Sequence, residues 1–142
     1  MASVDVSVPS EVAPRRAWEL ASDLHRFDQW MTIFGGWRSP VPSVIHEGTQ
    51  VSSLIKVKGF RNVIHWRVTG YDEPRRIELR GSGRGGVGIG ITMNVVDQQP
   101  GTCFRLLAEL SGGMLNGPIG RFVARIIESD VRKSVANLAA LA

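Results

Sequence analysis

Apolar and polar positions change their period twice along this chain. Residues 3–8 alternate Val4, Val6 and Val8 with polar residues, the period-two signature of a strand with one buried face. Pro9 ends that run. Ser10 and Glu11 offer a helix cap and first turn, and Val12, Ala17, Trp18, Leu20, Ala21 and Leu24 predict a short helix to about Leu24. Pro14 fits only in its first turn. A second short helical turn is predicted over residues 25–31. Residues 32–48 are rich in Gly and Pro and predict irregular chain, yet they carry Phe34, Trp37, Val41, Val44 and Ile45. That is too much apolar surface for a solvated linker, so the segment is expected to fold back as a cap.

Period two then returns. Strands are predicted over residues 49–58, 62–71, 75–81, 86–96 and 102–110. Their turns are Phe60-Arg61, Asp72-Glu73-Pro74, residues 83–85 and residues 98–101. Ile64, Trp66 and Val68 share one face, as do Val87, Ile89, Ile91, Met93 and Val95, and then Phe104, Leu106, Ala108 and Leu110. From Pro118 the period becomes helical. Ile119, Phe122, Val123, Ile126, Ile127, Val131, Val135 and Leu138 form an apolar arc, with Arg121, Arg125, Glu128 and Arg132 opposite. A helix so striped must bury its stripe, and the sheet before it is the large partner available. A long helix across a curved sheet leaves space for a cavity between them.

The order of elements, strand, two short helices, a run of strands and a long helix, is that of the helix-grip superfamily. Particular residues carry a more specific likeness: Pro14, Ala17-Trp18, Ala21-Ser22-Asp23-Leu24, Trp30, Trp37-Arg38-Ser39 and Lys58-Gly59. So do Ile64, Trp66, Gly81-Ser82-Gly83, Gly85-Gly86, Gly117-Pro118, Gly120 and Asp130. On these residues the whole chain resembles the START-like, pollen-allergen-like and polyketide-cyclase-like domains grouped as SRPBCC proteins. It is most similar to a small actinobacterial subset in which one member is described as the toxin half of a toxin–antitoxin pair. The resemblance implies an α+β helix-grip fold. In it a curved antiparallel sheet of six to seven strands wraps a long C-terminal helix, with two short helices after the first strand. Residues 1–142 are expected to form a single domain of this kind.

Composition narrows the function classes. The chain has 142 residues, 43% of them hydrophobic and 21% charged, the balance of an ordinary globular protein. No apolar run approaches a membrane span. Residues 1–10 lack the basic and apolar regions of a signal peptide. One cysteine, Cys103, cannot form an internal disulfide. A cytoplasmic location is therefore expected, without stable membrane insertion. The net charge of +4 rests on arginines dispersed in pairs such as Arg15-Arg16 and Arg75-Arg76, not on one basic run interleaved with aromatics, so no specific nucleic acid is expected.

Candidate chemistry is sparse. Gly81-Ser82-Gly83-Arg84-Gly85-Gly86 matches G-x-G-x-x-G, but the following residues are strand, so no helix N-terminus stands ready for a pyrophosphate. A conformational use fits better. His25, His46 and His65 lack metal-ligand spacing, so neither a metal nor another cofactor is expected. Asp130 falls on the wheel between Ile126 and Ile127, within the apolar arc. It is either a salt-bridged or hydrogen-bonded structural group or a polar anchor, the one candidate acid–base residue. Trp30, Phe34, Trp37, Trp66, Met93, Leu106, Phe122, Ile126 and Asp130 are the expected ligand-binding residues of a cavity under the last helix. For the tryptophans, packing alone is the competing reading. Three functions follow: binding of a small hydrophobic, lipid-like or polycyclic ligand; toxicity through a macromolecular partner, with an acidic antitoxin as protein partner; or cyclase/dehydratase chemistry. A monomer or weak dimer is expected.

Overall fold

The computed structural model describes residues 2–57, 60–112 and 118–141. Lys58-Gly59 and Gly117, which carry part of the family likeness, lie outside them, as does the side chain of Ile119. The elements are β1 (Ala2–Ser10), α1 (Pro14–Ser22), a 3-10 turn (Leu24–Arg26), α2 (Phe27–Trp30) and β2 (Phe34–Trp37). There follow β3 (Gln50–Val57), β4 (Phe60–Asp72), β5 (Arg76–Gly83), a 3-10 turn (Arg84–Gly86), β6 (Val87–Asp97), β7 (Thr102–Ser111) and α3 (Pro118–Leu141).

All pairings are antiparallel, in the order β1-β7-β6-β5-β4-β3-β2, so the sheet is a curled half-barrel whose first strand closes on its last. Register fixes which side chains face inward. Val4 pairs with Ala108, Val6 with Leu106, Ile91 with Ala108 and Met93 with Leu106. Because side chains alternate across a strand, one such pairing commits every second residue of each strand to the inner face. Ile64, Trp66, Val68, Ile77, Leu79, Ile91, Met93, Val95, Phe104 and Leu106 are all buried there. Helix α3 covers that face, packing on β1, β7, α1 and α2. Its Ile127, Val131, Val135 and Leu138 are buried.

Several local features differ from the sequence expectation. Ser10 does not cap α1: its Oγ accepts from the Val12 N–H (3.2 Å), and the helix starts at Pro14 behind Ala13, with no side-chain cap. The proline ring presets the first helical φ, and its missing N–H is one the first turn leaves unpaired anyway. The helix ends at Ser22, two residues early, because Asp23 turns its side chain to the His25 N–H (3.0 Å) and starts the separate 3-10 turn. The segment after α2 is not wholly irregular: β2 joins the sheet edge beside β3. Phe60 and Arg61 lie within β4, paired with Val57 and Lys56, and do not form a turn.

The glycine-rich stretch has a steric purpose. A Cβ at Gly81 would come within 2.5 Å of Ile64 Cγ2 and 2.7 Å of Trp66 Cε3. Glycine there lets two large β4 side chains lean across β5. The stretch ends in one 3-10 turn (Arg84–Gly86) and is followed by β6, not by a helix. On the outer face Glu78 accepts from the Thr69 hydroxyl (2.8 Å) and pairs with Arg76. The Thr69 bond, then Arg76 and Arg80, hold its carboxyl below the usual range. Asp5 is held low in the same way by a two-pronged bond from Arg105, joining β1 to β7. Among the described residues no helix is long and apolar enough to cross a membrane.

Candidate functional site

Between α3 and the concave face of the sheet lies a cavity of about 260 Å³. Helix α3 supplies Val123, Ile127, Val131 and Ser134, spaced at one turn of helix. The sheet supplies Ile55 and Val57 from β3, Ile64 from β4, Val87, Ile89 and Ile91 from β6, and Leu106, Ala108 and Leu110 from β7. Met31 and Ile33 close one side. The inward alternation of β6 and β7 makes this wall aliphatic. The space exists because Ala108, in the middle of β7, carries a single methyl where its neighbours Leu106 and Leu110 carry four-carbon side chains. Val87, Ile89 and Val123 are apolar yet only half-buried, since one flank of each faces the opening.

Polar groups sit at the two ends. Deep in the cavity the Ser134 Oγ accepts from the Thr32 N–H (2.9 Å) and donates to the Asp130 carbonyl (2.8 Å), so its hydrogen-bonding capacity is largely used. At the mouth stand Arg61, Asn62, Arg84 and Gly85. The Asn62 amide donates to the Arg84 carbonyl and accepts from the Arg84 N–H, both at 3.3 Å, which ties the β5–β6 tip to β4. Among the described residues the lining contains no Asp, Glu, His, Cys or Tyr. Among the described residues, then, it offers no side chain that exchanges a proton at neutral pH. Nor do any three His, Cys, Asp or Glu side chains among them gather as a metal site.

The residues expected from sequence fall in several places. Leu106 lines the cavity. Met93, its register partner, is buried beneath the wall at 2% exposure. Phe34, Trp37 and Trp66 line a second void of about 10 Å³, together with Phe27, Ser53 and Leu79; Met31, Ile55 and Ile91 face both spaces. The Trp37 indole donates to the Leu24 carbonyl (3.0 Å) and Trp66 to the Ser53 hydroxyl (2.9 Å), so neither N–H is free for a ligand. Trp30 is buried edge-on against Phe27, with ring centroids 5.2 Å apart.

On α3 the row Val123, Ile127 and Val131 faces the cavity, and the row Phe122, Ile126 and Asp130 lies one residue away, rotated by about 100°. Phe122 is accordingly 65% exposed, and Ile126 is half-buried at the edge of the core. Asp130 stands on the same edge. Its carbonyl accepts from Thr32 Oγ1 (3.2 Å) and its carboxylate lies 3.5 Å from the same hydroxyl, so it fastens α3 to the chain after α2.

The sequence pattern puts Val87, Ile89, Ala108, Leu110, Val123, Ile127 and Val131 on inward faces without assigning them to the site. It misses the mouth altogether, because it places Arg61 and Arg84 in turns. The available signal is topological. In an antiparallel meander the β3–β4 and β5–β6 connections emerge at the same end of the sheet.

Comparison with known proteins agrees with this architecture. The family model described as "Polyketide cyclase / dehydrase and lipid transport" matches residues 1–142. A Mycobacterium tuberculosis protein described as uncharacterized, Rv1546, is 38% identical over 141 residues, 99% of each chain. Another from that organism, named Toxin Rv0910, is 39% identical over 135 residues, covering 95% of this chain and 91% of its own. The crystal structure of TTHA0849 from Thermus thermophilus superposes with a TM-score of 0.80 at 14% identity, over 98% of this chain and 95% of that one. This last likeness concerns the fold alone.

Proposed function

The chain belongs to the polyketide cyclase/dehydrase and lipid transport family, and from that premise we propose that it binds a small hydrophobic molecule, lipid-like or polycyclic, between α3 and the sheet. The observation that carries this reading is the aliphatic cavity of about 260 Å³, whose walls come from four strands and the helix. Ligand pockets commonly run from about 300 to 1,000 Å³ with mostly apolar walls. This cavity falls just below that range, which suits one acyl chain or a compact ring system. Burial would supply about 25 cal/mol for each Å² of ligand surface removed from water. The test is native mass spectrometry of protein purified from its own cells. An apolar adduct that leaves on denaturation is expected; a bare mass, together with unchanged methyl NMR spectra on adding 1-decanol, would falsify the reading.

A second reading, a toxin acting through a macromolecular partner and neutralised by an acidic antitoxin, is supported by the relative named as a toxin and by the net charge of +4. Induced expression of the chain in its host should then arrest growth, and co-expression of the antitoxin should restore it. Unchanged growth on induction removes this reading for that host.

A further inference from the structure

Resting on the cavity reading, we infer that the ligand is an amphipathic anion: one apolar tail held inside and one acidic head held at the mouth by Arg61 and Arg84. Four observations combine. First, among the described residues these two arginines are the only charged ones lining the cavity, and both are exposed at its opening. Second, among the described residues neither guanidinium has a carboxylate or hydrogen-bond partner of its own, whereas Arg75, Arg76 and Arg105 are held in ion pairs. A guanidinium offers five N–H donors in a planar fork suited to carboxylate and phosphate. Third, Asn62 holds the Arg84 backbone against β4 directly after Arg61, so the two cations are carried by one tied corner. Fourth, the inner end has no comparable group to offer, because Ser134 is already bonded to Thr32 and Asp130.

These facts fix a direction for the ligand. An acid placed at the inner end would be desolvated against aliphatic side chains without a cation, which is strongly unfavourable. At the mouth it meets two positive charges while keeping part of its water. A volume of about 260 Å³ lies just below the usual range for small-molecule pockets, which suits one medium-length chain. The head is a carboxylate or a phosphate, since both fit the guanidinium fork. A neutral or cationic amphiphile of the same length gains nothing at the mouth.

The experiment uses a matched ten-carbon set (decanoate, decyl phosphate, 1-decanol and decylammonium) titrated into the full chain and followed on the methyl signals of Ile89, Val123 and Ile127. At low salt the better of the two anions is expected to bind about tenfold or more tighter than 1-decanol, a gap of one strong charge-assisted bond or more. Whichever anion binds tighter identifies the head. The gap should narrow with added NaCl, because exposed charges are screened. Combining Arg61→Gln with Arg84→Gln should close it, with the far-ultraviolet spectrum confirming the fold. The inference is overturned if both anions bind no tighter than 1-decanol, or if the double variant keeps the gap. Should neither 1-decanol nor the anions shift the methyl signals, the cavity reading itself fails, a result distinct from loss of charge selectivity alone.

Discussion

Replacing Ala108 with tryptophan is expected to abolish binding of apolar ligands while leaving the chain folded. Ala108 is 5% exposed, faces the cavity from the middle of β7 and pairs with Ile91 on one side and Val4 on the other. An indole projecting from this position enters empty space, which it fills in place of the ligand. In a close-packed core the same enlargement typically costs about 1–3 kcal/mol through displaced neighbours. Here the added ring gains contacts that the walls lack, so a stability change within about 1 kcal/mol is expected, of either sign. Affinity for 1-decanol should fall at least about tenfold, equivalent to about 1.4 kcal/mol. Titration on the methyl signals, beside a urea unfolding curve, measures both quantities. Retained affinity in a folded variant would place the ligand elsewhere.

Leu138→Ala is the opposite case, a large loss of stability at a position outside the cavity lining. Leu138 is fully buried near the end of α3, where the helix lies against the sheet. Truncating it removes three carbons from a packed site and leaves a hole that neighbours fill only in part, a loss of about 2–5 kcal/mol. Against a total of about 5–15 kcal/mol for an ordinary domain, that is a large share. Val123→Ala, on the same helix but half-buried beside the cavity, should lose less than about 1.5 kcal/mol, since one flank of Val123 touches nothing. Equal losses at the two positions would contradict the packing described for α3.

Most of the fold was legible because its signals are periodic and local. The alternation of β6 and β7 and the stripe on α3 each state which face is buried, and a single register then aligns them. The ends of elements were less legible. Ser10 and Asp23 are both good caps by type, and which of them caps which turn depends on where Pro14 admits the helix. The site was half legible for a geometric reason. Helix α3 carries two apolar rows, one through Phe122 and Ile126 and the other through Val123 and Ile127, and the wheel alone does not choose between them. The choice is made by β1, at the far end of the chain, together with β7, which turn the second row inward and leave Asp130 at the margin beside Thr32. The tryptophans carry a further lesson. Their size suggests a ligand surface, but Trp37 and Trp66 spend their N–H groups on Leu24 and Ser53 and stiffen the wall behind the cavity.

A residue that borders a void has fewer neighbours to disturb than one in solid core. Val87 and Ile89 of β6, Ala108 of β7, and Val123 and Val131 of α3 all border that void. A sequence can therefore exchange valine for isoleucine or alanine for leucine at any of them, reshaping the space one methyl group at a time without risking the frame. Inheritance of the frame and divergence of the occupant become separable, and selection can act on the occupant while Val135 and Leu138 hold the helix in place.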